Sequence, residues 1–189
     1  MEAFLVSTGL VTVSEIGDKT QLLAILLAAR FRRPLPIILG ILAATLVNHG
    51  LAATVGAMAG QYMQGPWMRW VLGSAFLAFA AWALIPDKYE EEKQEAGLTA
   101  TSLAVFWTTL VTFFLAEMGD KTQVATAALA ARFHDIFIVA AGTTTGMMIA
   151  DVPVIFISGA AAARLPLKYI RWAAAASFAA IGLWILIKG

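Results

Sequence analysis

No cysteine occurs in this 189-residue chain, which excludes disulfide frameworks, thiolate metal sites, iron–sulfur clusters and cysteine nucleophiles. Any metal must therefore meet oxygen or imidazole ligands. Charge is also scarce: 13% of residues are Asp, Glu, Lys or Arg and 60% are hydrophobic, against roughly 25% charged in a soluble domain. The 13 basic and 12 acidic residues nearly cancel, leaving a net charge of +1 and no electrostatic case for a nucleic-acid partner. Neither a Gly-rich phosphate loop nor a Walker motif is present, so ATP-driven pumping by this chain alone is not expected. The start, Met1-Glu2-Ala3-Phe4, lacks the basic region of a secretory signal and reads as the beginning of a retained first span. No cofactor is called for, and the partner that the composition demands is a lipid bilayer.

A helix crosses the hydrocarbon with about 20 apolar residues, so six spans need about 120. Apolar runs between breakers predict spans at Ala3–Arg30, Leu35–Gly60, Trp67–Ile85, Ser102–Arg132, Ile136–Ala162 and Tyr169–Ile187. The fold class expected is an all-α polytopic membrane protein with six transmembrane helices. Asp87 to Gly97, containing Glu90-Glu91-Glu92, is the one long polar segment and divides the chain into 1–86, a charged linker over 87–101, and 102–189. Arg30, Arg32, Arg33, Lys88, Lys93, Arg164, Lys168 and Arg171 follow the first, third and fifth spans, whereas Arg69, Arg132 and Lys188 lie on the other side. The positive-inside rule then puts both termini outside the cytoplasm.

The two halves are copies of one another. Glu15-Ile16-Gly17-Asp18-Lys19-Thr20-Gln21 recurs as Glu117-Met118-Gly119-Asp120-Lys121-Thr122-Gln123, an offset of 102. The same offset relates Leu27-Ala28-Ala29-Arg30-Phe31 to Leu129-Ala130-Ala131-Arg132-Phe133, Gly40 to Gly142 and Arg69-Trp70 to Arg171-Trp172. Three spans per half is an odd number, so the second half enters the membrane upside down and the halves form two inverted three-helix repeats. The best-matched stretch is polar, whereas packing alone would preferentially keep apolar positions.

Read as one helix, Ala3 to Ala29 is about 40 Å long, with Glu15, Asp18 and Lys19 near its middle. At about 100° per residue, Asp18 lies roughly 60° from Glu15, and Lys19 and Gln21 continue the same arc. Four uncompensated acids in the two copies would cost on the order of 10 kcal/mol to insert, comparable with a protein's whole net stability. Glu15, Asp18, Glu117 and Asp120 therefore face the interior, paired, protonated or bound to a cation. Lys19 and Lys121 neutralise two of the four charges, and the remainder suits one divalent ion. Carboxylates, the amide carbonyls of Gln21 and Gln123 and the hydroxyls of Thr20 and Thr122 are hard ligands of the kind used for manganese, calcium and magnesium. The plainer reading is that the acids only pair with the lysines, but two acids per lysine leave a surplus. The lysines themselves could instead snorkel to an interface. Gly17 and Gly119 either admit a neighbouring helix or permit local unwinding.

His49 and Asp151 occupy equivalent positions inside spans two and five, with Asn48 beside His49. Each is either an added ligand or proton carrier, or a satisfied interhelical hydrogen bond. The Thr143-Thr144-Thr145 hydroxyls are expected to bond to their own backbone. Gly56, Gly60, Gly142 and Gly146 have small-residue packing spacing. Met147-Met148 reads as core filling, and Trp67, Trp70, Trp172 and Trp184 as core or interfacial anchors.

The doubled, intramembrane Glu-x-Gly-Asp-Lys-Thr resembles the manganese-exporter family of bacterial MneA and the related eukaryotic Golgi cation transporters, within the cation/calcium antiporter superfamily. The resemblance covers nearly the whole chain. It implies six helices and secondary transport of Mn²⁺, with Ca²⁺ in some members and H⁺ as counter-ion. By motif position, Glu15, Asp18, Glu117 and Asp120 would be the cation-binding carboxylates, with Lys19, Lys121, Thr20 and Thr122 as motif partners. Unlike the eukaryotic relatives, the chain has no long N-terminal targeting region and only a short central loop, which points to a bacterial inner membrane. The function expected is Mn²⁺ export in exchange for H⁺, not an enzyme activity. The alternatives are a Ca²⁺/H⁺ antiporter, an intramembrane acid–base enzyme and a passive channel. A homodimer is compatible with the sequence but not required by it.

Overall fold

The computed structural model describes residues 1–62, 65, 67–85, 100–156 and 167–188. Nearly all of the predicted linker over 87–101 lies outside these residues, as do Lys88, Lys93 and Arg164. The helices, in chain order, are α1 (Glu2–Glu15), α2 (Lys19–Phe31), α3 (Pro34–Tyr62), α4 (Met68–Ala83), α5 (Ser102–Glu117), α6 (Lys121–Phe133), α7 (Ile136–Ile155) and α8 (Leu167–Lys188). No strand occurs among the described residues. The helices of the second half repeat those of the first: α2 and α6 have 13 residues each, and α3 and α7 both start two residues after a left-handed residue, Arg32 or His134.

The first and fourth predicted spans are each two helices rather than one continuous rod, so the arc calculated along an unbroken helix does not hold. Gly17 (φ 80°) and Gly119 (φ 73°) adopt the left-handed conformation, which glycine enters without the Cβ clash of other residues. Extended Asp18 and Asp120 then start the next helices as N-caps. The axes of α5 and α6 differ by 71° across this break. A Cβ on Gly119 would meet nothing within 4 Å, so this glycine serves unwinding and not the close approach of a neighbouring helix.

Pro34–Tyr62 and Ile136–Ile155 are each long and apolar enough to cross a bilayer. The bent pair α5–α6 reaches that length as a unit, and α4 and the Trp172–Ile187 part of α8 are shorter apolar helices. α1 packs on α7, α3 on α5 and α6, and α4 on α8, with α3 and α7 also meeting each other. Glycine makes the matched crossings close: a Cβ on Gly40 would stand 2.7 Å from Thr109 Cβ, and one on Gly142 would stand 2.8 Å from the Phe4 carbonyl oxygen. Phe76, Phe79 and Phe178 interlock between α4 and α8 with ring centroids 5.8–6.4 Å apart. Ile37, Ile41 and Phe113 fill the second core beside α3 and α5.

Polarity is inverted relative to a water-soluble protein. Leu35, Leu46, Leu51, Val55, Trp107 and Leu115 are exposed on the outside, while Glu15, Glu117, Asp151 and His49 have no exposure at all. An apolar exterior around buried ionisable groups is the arrangement a bilayer stabilises, and the chain is a helical membrane protein.

Candidate cation site

Both helix breaks are built in the same way. At each, α1 or α5 ends on a glutamate, two residues leave the helix, and an aspartate N-caps α2 or α6. Unwinding strands a backbone N–H, and a glutamine one turn ahead takes it up. Gln21 Oε1 accepts from Gly17 N at 2.8 Å, and Gln123 Oε1 accepts from Gly119 N at 2.7 Å. The amide nitrogens of the same glutamines tie the breaks to the long helices: Gln21 Nε2 donates to the Ala150 carbonyl on α7 (3.0 Å), and Gln123 Nε2 to Asn48 Oδ1 on α3 (3.4 Å). Asn48 Nδ2 in turn donates to the Phe114 carbonyl at 3.0 Å. Each glutamine thus clamps a broken segment that would otherwise leave polar backbone unsatisfied inside a membrane.

The threonines hold the glutamates. Thr20 Oγ1 donates to Glu15 Oε2 at 2.7 Å, and Thr122 Oγ1 to Glu117 Oε2 at 3.0 Å. The other carboxylate oxygen, Oε1 of Glu15 and of Glu117, is buried with no hydrogen-bond partner among the described residues. The aspartates are paired across the repeats. Lys19 Nζ lies 2.8 Å from Asp120 Oδ1, and Lys121 Nζ lies 3.7 Å from Asp18 Oδ1. Lys121 is buried and Lys19 has a quarter of its side chain exposed, so Lys121 does not snorkel out and Lys19 keeps its ammonium on Asp120. This cross-pairing is not readable from either copy of the motif.

Glu15, Asp18 and Asp120 each present a carboxylate oxygen such that all three oxygens lie within 4.8 Å of one another. Glu117 is buried nearby on α5 but is not part of that group. Three convergent, buried carboxylates can hold one hard divalent ion. The second motif does contain a thioether, Met118, which is more than half exposed and lies outside the group. Asp151 and His49 are buried beside the glutamine anchors, and neither Asp151 oxygen nor either His49 nitrogen has a hydrogen-bond partner among the described residues. Of the threonine run, Thr143 and Thr145 bond to their own helix as expected, at 3.0 and 2.7 Å, whereas the buried Thr144 hydroxyl has no hydrogen-bond partner among the described residues and departs from that expectation.

Buried carboxylates with built-in lysine counter-charges, placed at broken helices in an apolar shell, define a membrane protein that handles cations. The chain belongs to the divalent cation/proton antiporter GDT1 family, whose profile matches residues 3–91 and 105–189. It is 43% identical over 184 residues to a Vibrio cholerae protein named "Putative manganese exporter", covering 97% of this chain and 90% of that protein. GDT1-like protein 5 of Arabidopsis thaliana is 28% identical over 177 residues, covering 75% of this chain and 77% of its own. GDT1-like protein 4 of Oryza sativa subsp. indica is 32% identical over 167 residues, covering 77% of this chain and 59% of its own. No solved structure matches the chain. The class is a cation transporter.

Proposed function

We propose that this chain exports Mn²⁺ from the cytoplasm across a bacterial inner membrane in exchange for H⁺. The observation that carries this reading is the convergence of Glu15, Asp18 and Asp120, two of which are also the aspartates held by lysines of the opposite repeat. In the ion-free site, the two ammonium groups stand in for the cation. A divalent ion entering between the carboxylates takes over that counter-charge, and Lys19 and Lys121 swing aside. Glu15 and Glu117 hold the surplus negative charge, and each keeps one oxygen unengaged for the ion or for a proton on the return step. Thr20, Thr122, Gln21 and Gln123 position these groups, and Asp151 and His49, at equivalent places on α7 and α3, are where protons approach the site.

The architecture that suits this cycle is six spans in two inverted repeats, with the two breaks meeting near the midplane and both termini on the non-cytoplasmic side. Alternating access then consists of the two repeats rocking about a fixed site. Reconstituted into proteoliposomes, the protein is expected to move Mn²⁺ in a way that depends on an opposing proton gradient, and Asp18→Asn is expected to abolish that flux while the protein remains folded. Flux that is indifferent to the gradient, or retained in Asp18→Asn, overturns the reading. Excess Ca²⁺ that moves readily while Mn²⁺ does not would reassign the cargo, because an all-oxygen donor set binds either ion.

A further inference from the structure

A second polar feature lies well away from the cation site. A cavity of about 200 Å³ sits where α4 begins and α6 and α8 end, lined by Met68, Arg69, Leu72, Arg132, His134 and Ile185. That volume is far above the roughly 10–15 Å³ a single water needs. Arg132 follows Lys121 along α6 by about 16 Å of helix rise, which separates the cavity from the motif residues.

Two arginines line this cavity, and no carboxylate does among the described residues. The Lys19–Asp120 and Lys121–Asp18 ion pairs involve neither Arg69 nor Arg132. Asp135, the acid adjacent to His134, uses its Oδ1 to cap α7, accepting from Ile138 N at 2.9 Å. Nε of Arg69 and Nε of Arg132 are both buried with no hydrogen-bond partner among the described residues. Simple snorkelling to water does not explain a buried, unpaired Nε–H. Aromatic rings cover the guanidinium faces: Arg69 lies 5.4 Å from the Trp70 ring, and Arg132 lies 5.5 Å from Trp184 and 5.9 Å from Phe133. Stacking of this kind fixes the plane of a guanidinium and leaves its in-plane N–H groups available to a planar or tetrahedral oxyanion.

We propose that this cavity binds a phosphate group through Arg69 and Arg132, with His134 at its rim. Two guanidinium forks suit phosphate oxygens bidentately, and two cations lining one cavity with no carboxylate among its described lining residues favour an anion within it. Trp67 and Trp70, both about half exposed beside the cavity, mark the depth at which aromatic belts meet lipid headgroups. The phosphate can therefore come from a phospholipid headgroup or from free inorganic phosphate, and this site is independent of the cargo assigned above.

Trp184 and Trp70, stacked on the two arginines, are natural reporters. The full-length protein, purified in detergent and delipidated, is titrated with dihexanoyl phosphatidylglycerol and separately with inorganic phosphate, with chloride at matched ionic strength as control, while tryptophan emission is followed. A saturable change with the lipid, weakened by roughly tenfold or more in Arg69→Gln and in Arg132→Gln, supports a headgroup site, since each charge-assisted hydrogen bond contributes on that order. The same pattern with inorganic phosphate but not the lipid supports a free-anion site. Arg132→Lys, which keeps the charge and loses the fork, is expected to bind with intermediate strength and stands in if a glutamine variant does not fold. No saturable response of the wild type to either probe, or a response that both arginine substitutions leave unchanged, overturns the proposal.

Discussion

Lys19→Met and Asp120→Asn remove opposite ends of one ion pair, and the structure predicts that their effects on stability and on transport rank in opposite orders. The pair is short, at 2.8 Å, and uneven in burial: Asp120 has 4% of its side chain exposed and Lys19 25%. Deleting the lysine leaves Asp120 charged, buried and close to Glu15 and Asp18, the situation in which breaking a buried pair costs about 3–5 kcal/mol. Deleting the aspartate charge leaves a lysine that already reaches solvent and has other carboxylates within the cluster, so the loss is closer to one hydrogen bond to a charged group, about 1.5–3 kcal/mol, reduced by rehydration. At roughly 2–4 °C per kcal/mol for a chain of this size, Lys19→Met is expected to lower Tm by about 6–20 °C and Asp120→Asn by less. For metal-dependent flux the order reverses, because Asp120 is a proposed ligand and Lys19 only a stand-in cation. Mn²⁺ should also restore much of the lost stability of Lys19→Met and none of that of Asp120→Asn. Thermal unfolding in detergent with and without Mn²⁺, beside proteoliposome flux, reads all of this. If Asp120→Asn destabilises as much as Lys19→Met, or if Mn²⁺ fails to rescue Lys19→Met, the lysine does not substitute for the ion.

Two further substitutions separate the backbone of the site from its charges. Gly119→Ala meets no steric obstacle, so its cost is the left-handed φ alone, about 1–2 kcal/mol; a modest fall in Tm with impaired Mn²⁺ flux is expected, and an unchanged protein would show that the break does not depend on that conformation. Gln21→Leu removes both the acceptor for Gly17 N–H and the donor to Ala150. Unsatisfied backbone in a membrane costs more than the same loss in water, so amide exchange at Gly17 measured by mass spectrometry is expected to accelerate, and unaltered protection there would remove the clamp from the account.

Much of this architecture is legible in the sequence because its strongest signals are physical necessities. Charges in the middle of long apolar runs identify Glu15, Asp18, Glu117 and Asp120 as interior groups before any fold is known, and all four are buried. The unbroken repeat predicts matched elements, and the helix pairs at the two motifs match. What the sequence does not reveal is the break itself. Glycine between a glutamate and an aspartate is compatible with a packed helix or an unwound one, and the choice depends on whether something satisfies the freed N–H, a contact made by Gln21 or Gln123 after folding. For the same reason the sequence does not show that the carbonyls of those glutamines hold the freed N–H groups. The cross-repeat lysine pairs and the cavity between Arg69 and Arg132 depend on contacts between distant segments, and no local pattern encodes them.

The two halves agree in the motif and differ in its surroundings, and the difference bears on how such a site works. Gln21 is anchored to a backbone carbonyl of α7 at 3.0 Å, whereas Gln123 is anchored to the Asn48 side chain of α3 at the longer distance of 3.4 Å. Asp18 caps its own helix, accepting from Lys19 N at 2.8 Å, while Asp120 makes no such cap and holds Lys19 instead. The second lysine pair is looser, at 3.7 Å. Asp18 thus shares one oxygen between its own helix and Lys121, whereas the matching oxygen of Asp120 goes to the lysine of the opposite repeat, an asymmetry imposed on nearly identical sequence. On the alternating-access cycle proposed above, the two motifs are expected to exchange these arrangements as the site turns from one side of the membrane to the other.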